Sequence, residues 1–255
     1  MCIRDRDWTG DTHLVDGVDE RGFVLEVDGR VVPGVLWTPP GAEGARPLVL
    51  IGHGATAHKR FGYVLSLARE LVRGHEFAVV AIDGPGHGDR RAIPDADQMQ
   101  IFSEFLGEWT REGSTDEAVA DWRATLDAVR RLPEVGDGPV GYWGLSMGTI
   151  YGLPLVAADR RIQVAVFGLM GLVGPTRDRM GADAPRLTCP VLFIQQWDDS
   201  LIPRDSVAEL FDAIGSVDKR LHASPGEHSA VPSEEFAFSA RFLAHHLAPG
   251  GDELS

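Results

Sequence analysis

The sequence predicts an α/β fold, a single domain on a mostly parallel central sheet with helices on both faces. Three observations carry this. Short, continuously apolar runs recur along the chain, helical periodicities separate them, and usage is ordinary for a globular protein, with 44% hydrophobic and 24% charged residues. Runs that are apolar at every position suit strands covered on both faces, and their alternation with helices implies right-handed parallel crossovers. A chain of 255 residues is long enough to bury one large core of this kind.

Taken in order, residues 1–21 are polar and read as an extended lead-in, ahead of a single domain over 22–248. Phe23–Asp28 and Val31–Trp37 flank Gly29-Arg30 and predict an N-terminal β-hairpin. Strands of the buried type follow at Leu48–Ile51, Phe77–Ile82, Val140–Trp143, Val164–Phe167 and Val191–Ile194. Ser114 and Glu117 have capping-box spacing ahead of Val119, Trp122, Leu126 and Val129, which share one helical face. Pro203 suits the first position of another helix, with Val207, Leu210, Phe211 and Ile214 on its buried side. Lys219–Ala223 reads as a last strand, Phe238, Phe242 and Leu247 as a C-terminal helix, and 249–255 as a tail. Residues 92–113 place Met99, Phe102, Phe105, Leu106 and Trp109 at helical spacing. That segment either lies across the site as a small lid or packs on the core as a plain helix.

Composition narrows the function classes. A net charge of −14 repels phosphate, so neither nucleic acid nor an anionic membrane is an expected partner. The longest nearly uninterrupted apolar stretch, Val164–Gly174, is too short to span a bilayer, and the polar N-terminus lacks the apolar segment of a secretory signal. With only Cys2 and Cys189, a disulfide framework is not expected and a reducing cytoplasm is the default location. Ligand spacing for a metal is also missing, and Gly84-Pro-Gly-His-Gly88 lacks the spacing of a dinucleotide fingerprint, so no cofactor is expected.

The chemistry concentrates in Gly144-Leu145-Ser146-Met147-Gly148, which follows a buried-type strand and precedes a helix-compatible stretch. In a Gly-x-Ser-x-Gly elbow the chain turns sharply from strand to helix and exposes the serine hydroxyl at the sheet edge. Ligands of such sheets bind at the carboxyl ends of the strands. Gly52-His53-Gly54-Ala55 follows the strand Leu48–Ile51, and Asp83-Gly-Pro-Gly-His-Gly88 follows the next one.

With these motifs, the chain from about Gly22 to Leu247 resembles an α/β-hydrolase of the serine-esterase type, similar to carboxylesterases and dienelactone hydrolases but with serine in the elbow. The resemblance implies a Ser-His-Asp hydrolase of a small-molecule carboxylic ester, with backbone oxyanion donors at Ala55 and Met147. Such donors are worth roughly 3 to 4 kcal/mol each. The family order places an acid and then a histidine after the serine. His228, after Ser224-Pro-Gly-Glu, stands where the family has its base, whereas His222 falls in a strand and His245 and His246 in a helix. Asp198 and Asp199 both follow the strand Val191–Ile194, and the family's Asp-x-x-(Val/Ile)-Pro pattern selects Asp199 through Ile202 and Pro203. His53, Trp197, Phe105 and Trp109 are candidates for the substrate pocket. Thioesterases, peptidases, lactonases and acyltransferases use the same triad, and some members of the fold only bind ligands. The segment between Phe167 and Val191 is too short for a large cap, so the expected cleft is open and suits short or medium acyl groups.

Overall fold

Two Asp-Gly pairs start the fold. The computed structural model describes Trp8, residues 11–93 and residues 95–248; most of the expected lead-in before residue 11 and the expected tail over 249–255 lie outside them. Strands β1 (His13–Val15), β2 (Val18–Val27) and β3 (Arg30–Thr38) form an antiparallel meander. The two-residue turns between them hold Asp16-Gly17 and Asp28-Gly29, all at positive φ. That is the geometry the right-handed twist of paired strands favours, and Asp-Gly adopts it readily. The predicted hairpin is thus β2–β3, and residues 13–21 of the expected lead-in are already sheet.

Strands β4 (Leu48–Gly52), β5 (Ala78–Ile82), β6 (Val140–Gly144), β7 (Ile162–Gly168), β8 (Val191–Gln196) and β9 (Lys219–Ser224) run parallel. The nine-stranded order is β1-β2-β3-β5-β4-β6-β7-β8-β9, with β3 antiparallel to β5. Every residue of β4, β5 and β6 is buried, which explains their unbroken apolar sequence. Alternate side chains feed two cores. Leu48 and Leu50 face α3 (Ser114–Val129) and α4 (Met147–Ala158) through Trp122, Leu126 and Leu153. Val49 and Ile51 face α1 (Gly62–His75) and α7 (Ser233–Leu247) through Leu67, Leu71, Phe242 and Leu243.

The remaining helices are α2 (Gln98–Thr110), α5 (Arg177–Asp183) and α6 (Arg204–Ala213). Two boundaries differ from the sequence expectation. Ser114 does not cap α3: Gly113 at φ +81 precedes the helix, while the Glu117 carboxylate accepts from Arg111. The capping box forms instead on α2, where Asp97 accepts from Gln100 N–H and the Gln100 side chain accepts from Asp97 N–H. Pro203 is the N-cap of α6 rather than its first helical residue. Among the described residues no helix is long and apolar enough to cross a membrane.

Candidate active site

The strand-to-helix turn at Ser146 is built by close backbone approach. Ser146 has φ +57 and ψ −116, a strained conformation for a non-glycine residue. A Cβ on Gly148 would meet Gly52 O at 2.5 Å, and one on Gly144 would meet the Tyr142 hydroxyl at 2.7 Å, so neither position has room for a side chain. The turn is held by Ser146 N–H donating to Gly168 O at 2.9 Å and by Tyr142 O–H donating to Gly148 O at 2.7 Å. Buried Thr149 adds a hydroxyl that accepts from Gly168 N–H at 3.0 Å.

Two further loops reach this turn. After β8, Asp199 Oδ1 accepts from the backbone N–H groups of Leu201 and Ile202 at 2.8 and 3.0 Å, a local turn that fixes the carboxylate. Its Oδ2 accepts from His228 Nδ1 at 2.7 Å, and His228 Nε2 lies 3.0 Å from Ser146 Oγ. With Nδ1–H donating to the carboxylate, Nε2 is the acceptor facing the hydroxyl. Asp198 turns the other way and accepts from Gly226 N–H at 3.0 Å, while Gln196 donates to Ala230 O at 2.9 Å. These bonds stitch the loop of Asp199 to the loop of His228. The structure therefore brings together Ser146, Asp199 and His228, side chains separated by up to 82 positions in sequence.

The loop after β4 carries Ala55. His53 is buried, donates Nδ1–H to Gly54 O at 2.9 Å, and accepts Gly84 N–H on Nε2 at 2.9 Å. Burial, reinforced by the neighbouring His87 ring, pushes its pKa down to about 3, so it stays neutral. Tyr63 accepts Gly54 N–H at 2.7 Å, and burial pushes its phenol up to about 12. Lys59 joins Asp83 at 2.5 Å and Asp89 at 2.6 Å, locking this loop to the one after β5. Burial alone would raise the Asp83 pKa, but the charge and hydrogen bonds of Lys59 outweigh it and hold the carboxyl below the usual range. Among the described residues, no acceptor engages the backbone N–H of Ala55 or of Met147.

A cavity of about 400 Å³ opens at Ser146 and His228 and takes in Ala55. Its other walls are largely apolar, from Phe61, Tyr63, Trp143, Leu145, Leu169 and Phe236, and no Asp, Glu, Lys or Arg lines it. None of the four expected pocket residues is among its walls, each for a definite reason. Both ring nitrogens of His53 are spent on the loop backbone. Phe105 is buried against His87 and stacks on Trp109 at 5.5 Å, whose indole donates to Thr176. Trp197 is 49% exposed beneath the Arg204 guanidinium. Sequence reasoning missed Phe61, Tyr63 and Phe236; the available signal was two aromatics close behind the His53-Gly54 loop and one on the helix after His228.

Arg90 pairs with buried Asp121 at 2.9 Å rather than facing the cavity, and burial pushes the Cys189 thiol up to about 11. Among the described residues no cluster of three or more His, Cys, Asp or Glu side chains is arranged to hold a metal.

Residues 48–251 match the alpha/beta hydrolase family. The chain is similar, at 45% identity and a TM-score of 0.84, to a PEG-bound complex of a novel cold-adapted esterase from an Arctic intertidal metagenomic library, covering 94% of this chain and 99% of that one. The native structure from the same library matches at 42% identity, TM-score 0.78, and the same coverage. An acetyl xylan esterase from Paenibacillus sp. R4 shares the fold at 18% identity and a TM-score of 0.71, over 94% of this chain and 87% of its own. No curated protein matches the sequence.

Proposed function

The chain belongs to the alpha/beta hydrolase family and is of its esterase type, and on that premise we propose that it cleaves a carboxylic ester through an acyl-enzyme on Ser146. One observation carries the reading: the continuous hydrogen-bond path from Ser146 Oγ to His228, 3.0 Å, and from His228 to Asp199, 2.7 Å. A serine hydroxyl is a poor nucleophile until a base takes its proton. His228 Nε2 accepts that proton as Oγ attacks the ester carbonyl, and Asp199 keeps the ring oriented and stabilises its charged form. Negative charge gathers on the former carbonyl oxygen, where the N–H groups of Ala55 and Met147 receive it. His228 then protonates the departing alkoxide, and the acyl-enzyme forms. Water, deprotonated by the same nitrogen, attacks the acyl carbon; the second tetrahedral species collapses, returning the proton to Oγ and releasing the acid.

The uncharged walls of the cavity support a neutral ester as substrate. A panel of p-nitrophenyl ester, thioester, lactone and peptide substrates, run beside Ser146→Ala, tests the proposal. Ester turnover abolished by the substitution is expected. Turnover of the peptide alone, or ester turnover that survives the loss of Ser146, would reject it.

A further inference from the structure

A second cavity, of about 370 Å³, adjoins the one at Ser146 and shares Tyr63, Val231 and Phe236 with it. Its own walls come from α1, through Ser66 and Leu67, and from the start of α7, through Ala237. The shared side chains form the partition, with the Tyr63 and Phe236 rings 6.0 Å apart. Their anchoring differs. Tyr63 is fixed by Gly54 N–H, whereas Phe236 has a hydrocarbon side chain that is only half-buried and makes no hydrogen bond. Rotation of such a ring is a fast side-chain event, so the partition can yield to a ligand without moving the backbone.

We propose that the two cavities bind one substrate, an ester with an extended, uncharged, apolar chain: the ester bond sits at Ser146, and the chain passes Phe236 to end between α1 and α7. This rests on the esterase reading above and sets its substrate class. Three facts converge on it. Each cavity falls within the size range of small-ligand sites, roughly 300 to 1,000 Å³, so the outer one has room for part of a ligand. Both are walled mainly by hydrocarbon. The one ionisable carboxyl lining the outer cavity is Glu70, at its exposed rim, which disfavours a chain ending in a carboxylate. The open cleft expected from the short cap accounts for the inner cavity alone; the outer cavity extends the reach to longer chains.

The aliphatic chain can belong to the acyl or to the alkoxy half of the ester, and the test separates them. Ser66→Trp and Ala237→Trp fill the outer cavity from helix positions that are not in the core, and neither touches Ser146, His228 or Asp199. One series compares p-nitrophenyl butanoate with p-nitrophenyl decanoate; the other compares butyl acetate with decyl acetate. In one series, kcat/KM for the ten-carbon substrate is expected to fall by about tenfold or more in both variants, with the four-carbon substrate within about twofold of wild type. The series that responds identifies which half carries the chain. Equal effects at both lengths, or no loss with either ten-carbon substrate, would overturn the two-cavity binding mode. If the folded wild type hydrolyses none of the four esters, the esterase reading itself fails.

Discussion

At the scale of single residues, the roles assigned to Ser146, Asp199 and His53 separate cleanly. Ser146→Ala removes the nucleophile without disturbing the turn, so kcat for ester hydrolysis should drop by roughly 10³-fold or more while thermal unfolding stays near wild type. Asp199→Asn keeps the shape but lets an amide N–H donate to His228 Nδ1, which leaves the ring proton on Nε2, so the nitrogen facing Ser146 can no longer accept. A loss of about 10³- to 10⁴-fold in kcat is expected, and near-normal turnover would show that the 2.7 Å contact does not orient the base. His53, by contrast, is expected to matter for the loop and not for proton transfer, because both its nitrogens are already engaged. Ser146 and Asp199 were legible in the sequence because each sits in a local motif whose backbone demand is visible: paired glycines around Ser146, and Pro203 four residues after Asp199, directly behind its turn donors Leu201 and Ile202. The cavity walls were not legible, since a buried aromatic beside the site and one packed elsewhere, such as Phe105, look alike in one dimension.

At the scale of elements, the elbow and α2 make opposite predictions. Gly148→Ala would press a methyl group to 2.5 Å from Gly52 O, a backbone atom that cannot swing away, so the β4–α4 contact must spread. We expect a loss of at least about 2 kcal/mol in stability together with loss of activity, measurable by urea denaturation and ester assay. On α2 the inward residues Phe105 and Trp109 pack on His87 and Thr176, while Met99 and Phe102 face solvent. We propose that a helix braced in this way stays in place and does not close over the cavity. Phe102→Gln should therefore leave KM for a short ester within about twofold, and a large rise in KM would mark α2 as a lid after all. The same scale explains what the sequence conceals. Asp16-Gly17 carries the same turn signal as Asp28-Gly29, but the polar β1 segment has only one side chain, Val15, shielded even in part, so hydropathy gives no hint of its strand.

At the scale of the whole molecule, buried histidine rings tie stability to pH. Burial lowers the pKa of His53 first of all, to about 3, and also lowers those of His58, His75, His87 and His246. The unfolded chain protonates its histidines near pH 6.5 and the folded chain resists, so between about pH 6.5 and about 3 the unfolded state binds more protons. Stability must then fall on acidification through that window. His53→Asn keeps a donor and an acceptor but does not titrate, so the drop in denaturation midpoint between pH 7 and pH 5 should shrink in the variant; an unchanged drop would remove His53 from the explanation. The parallel order of the sheet followed directly from apolar runs spaced by helices, and it delivers Ser146, Asp199 and His228 to the same sheet edge from loops after β6, β8 and β9. That convergence is the central claim, and trapping the acyl-enzyme tests it most directly. Acid quenching during turnover of p-nitrophenyl acetate, followed by peptide mass spectrometry, should find one acetyl group on the peptide containing Ser146. Steady turnover with the acetyl group on another residue, such as Cys189, would contradict it.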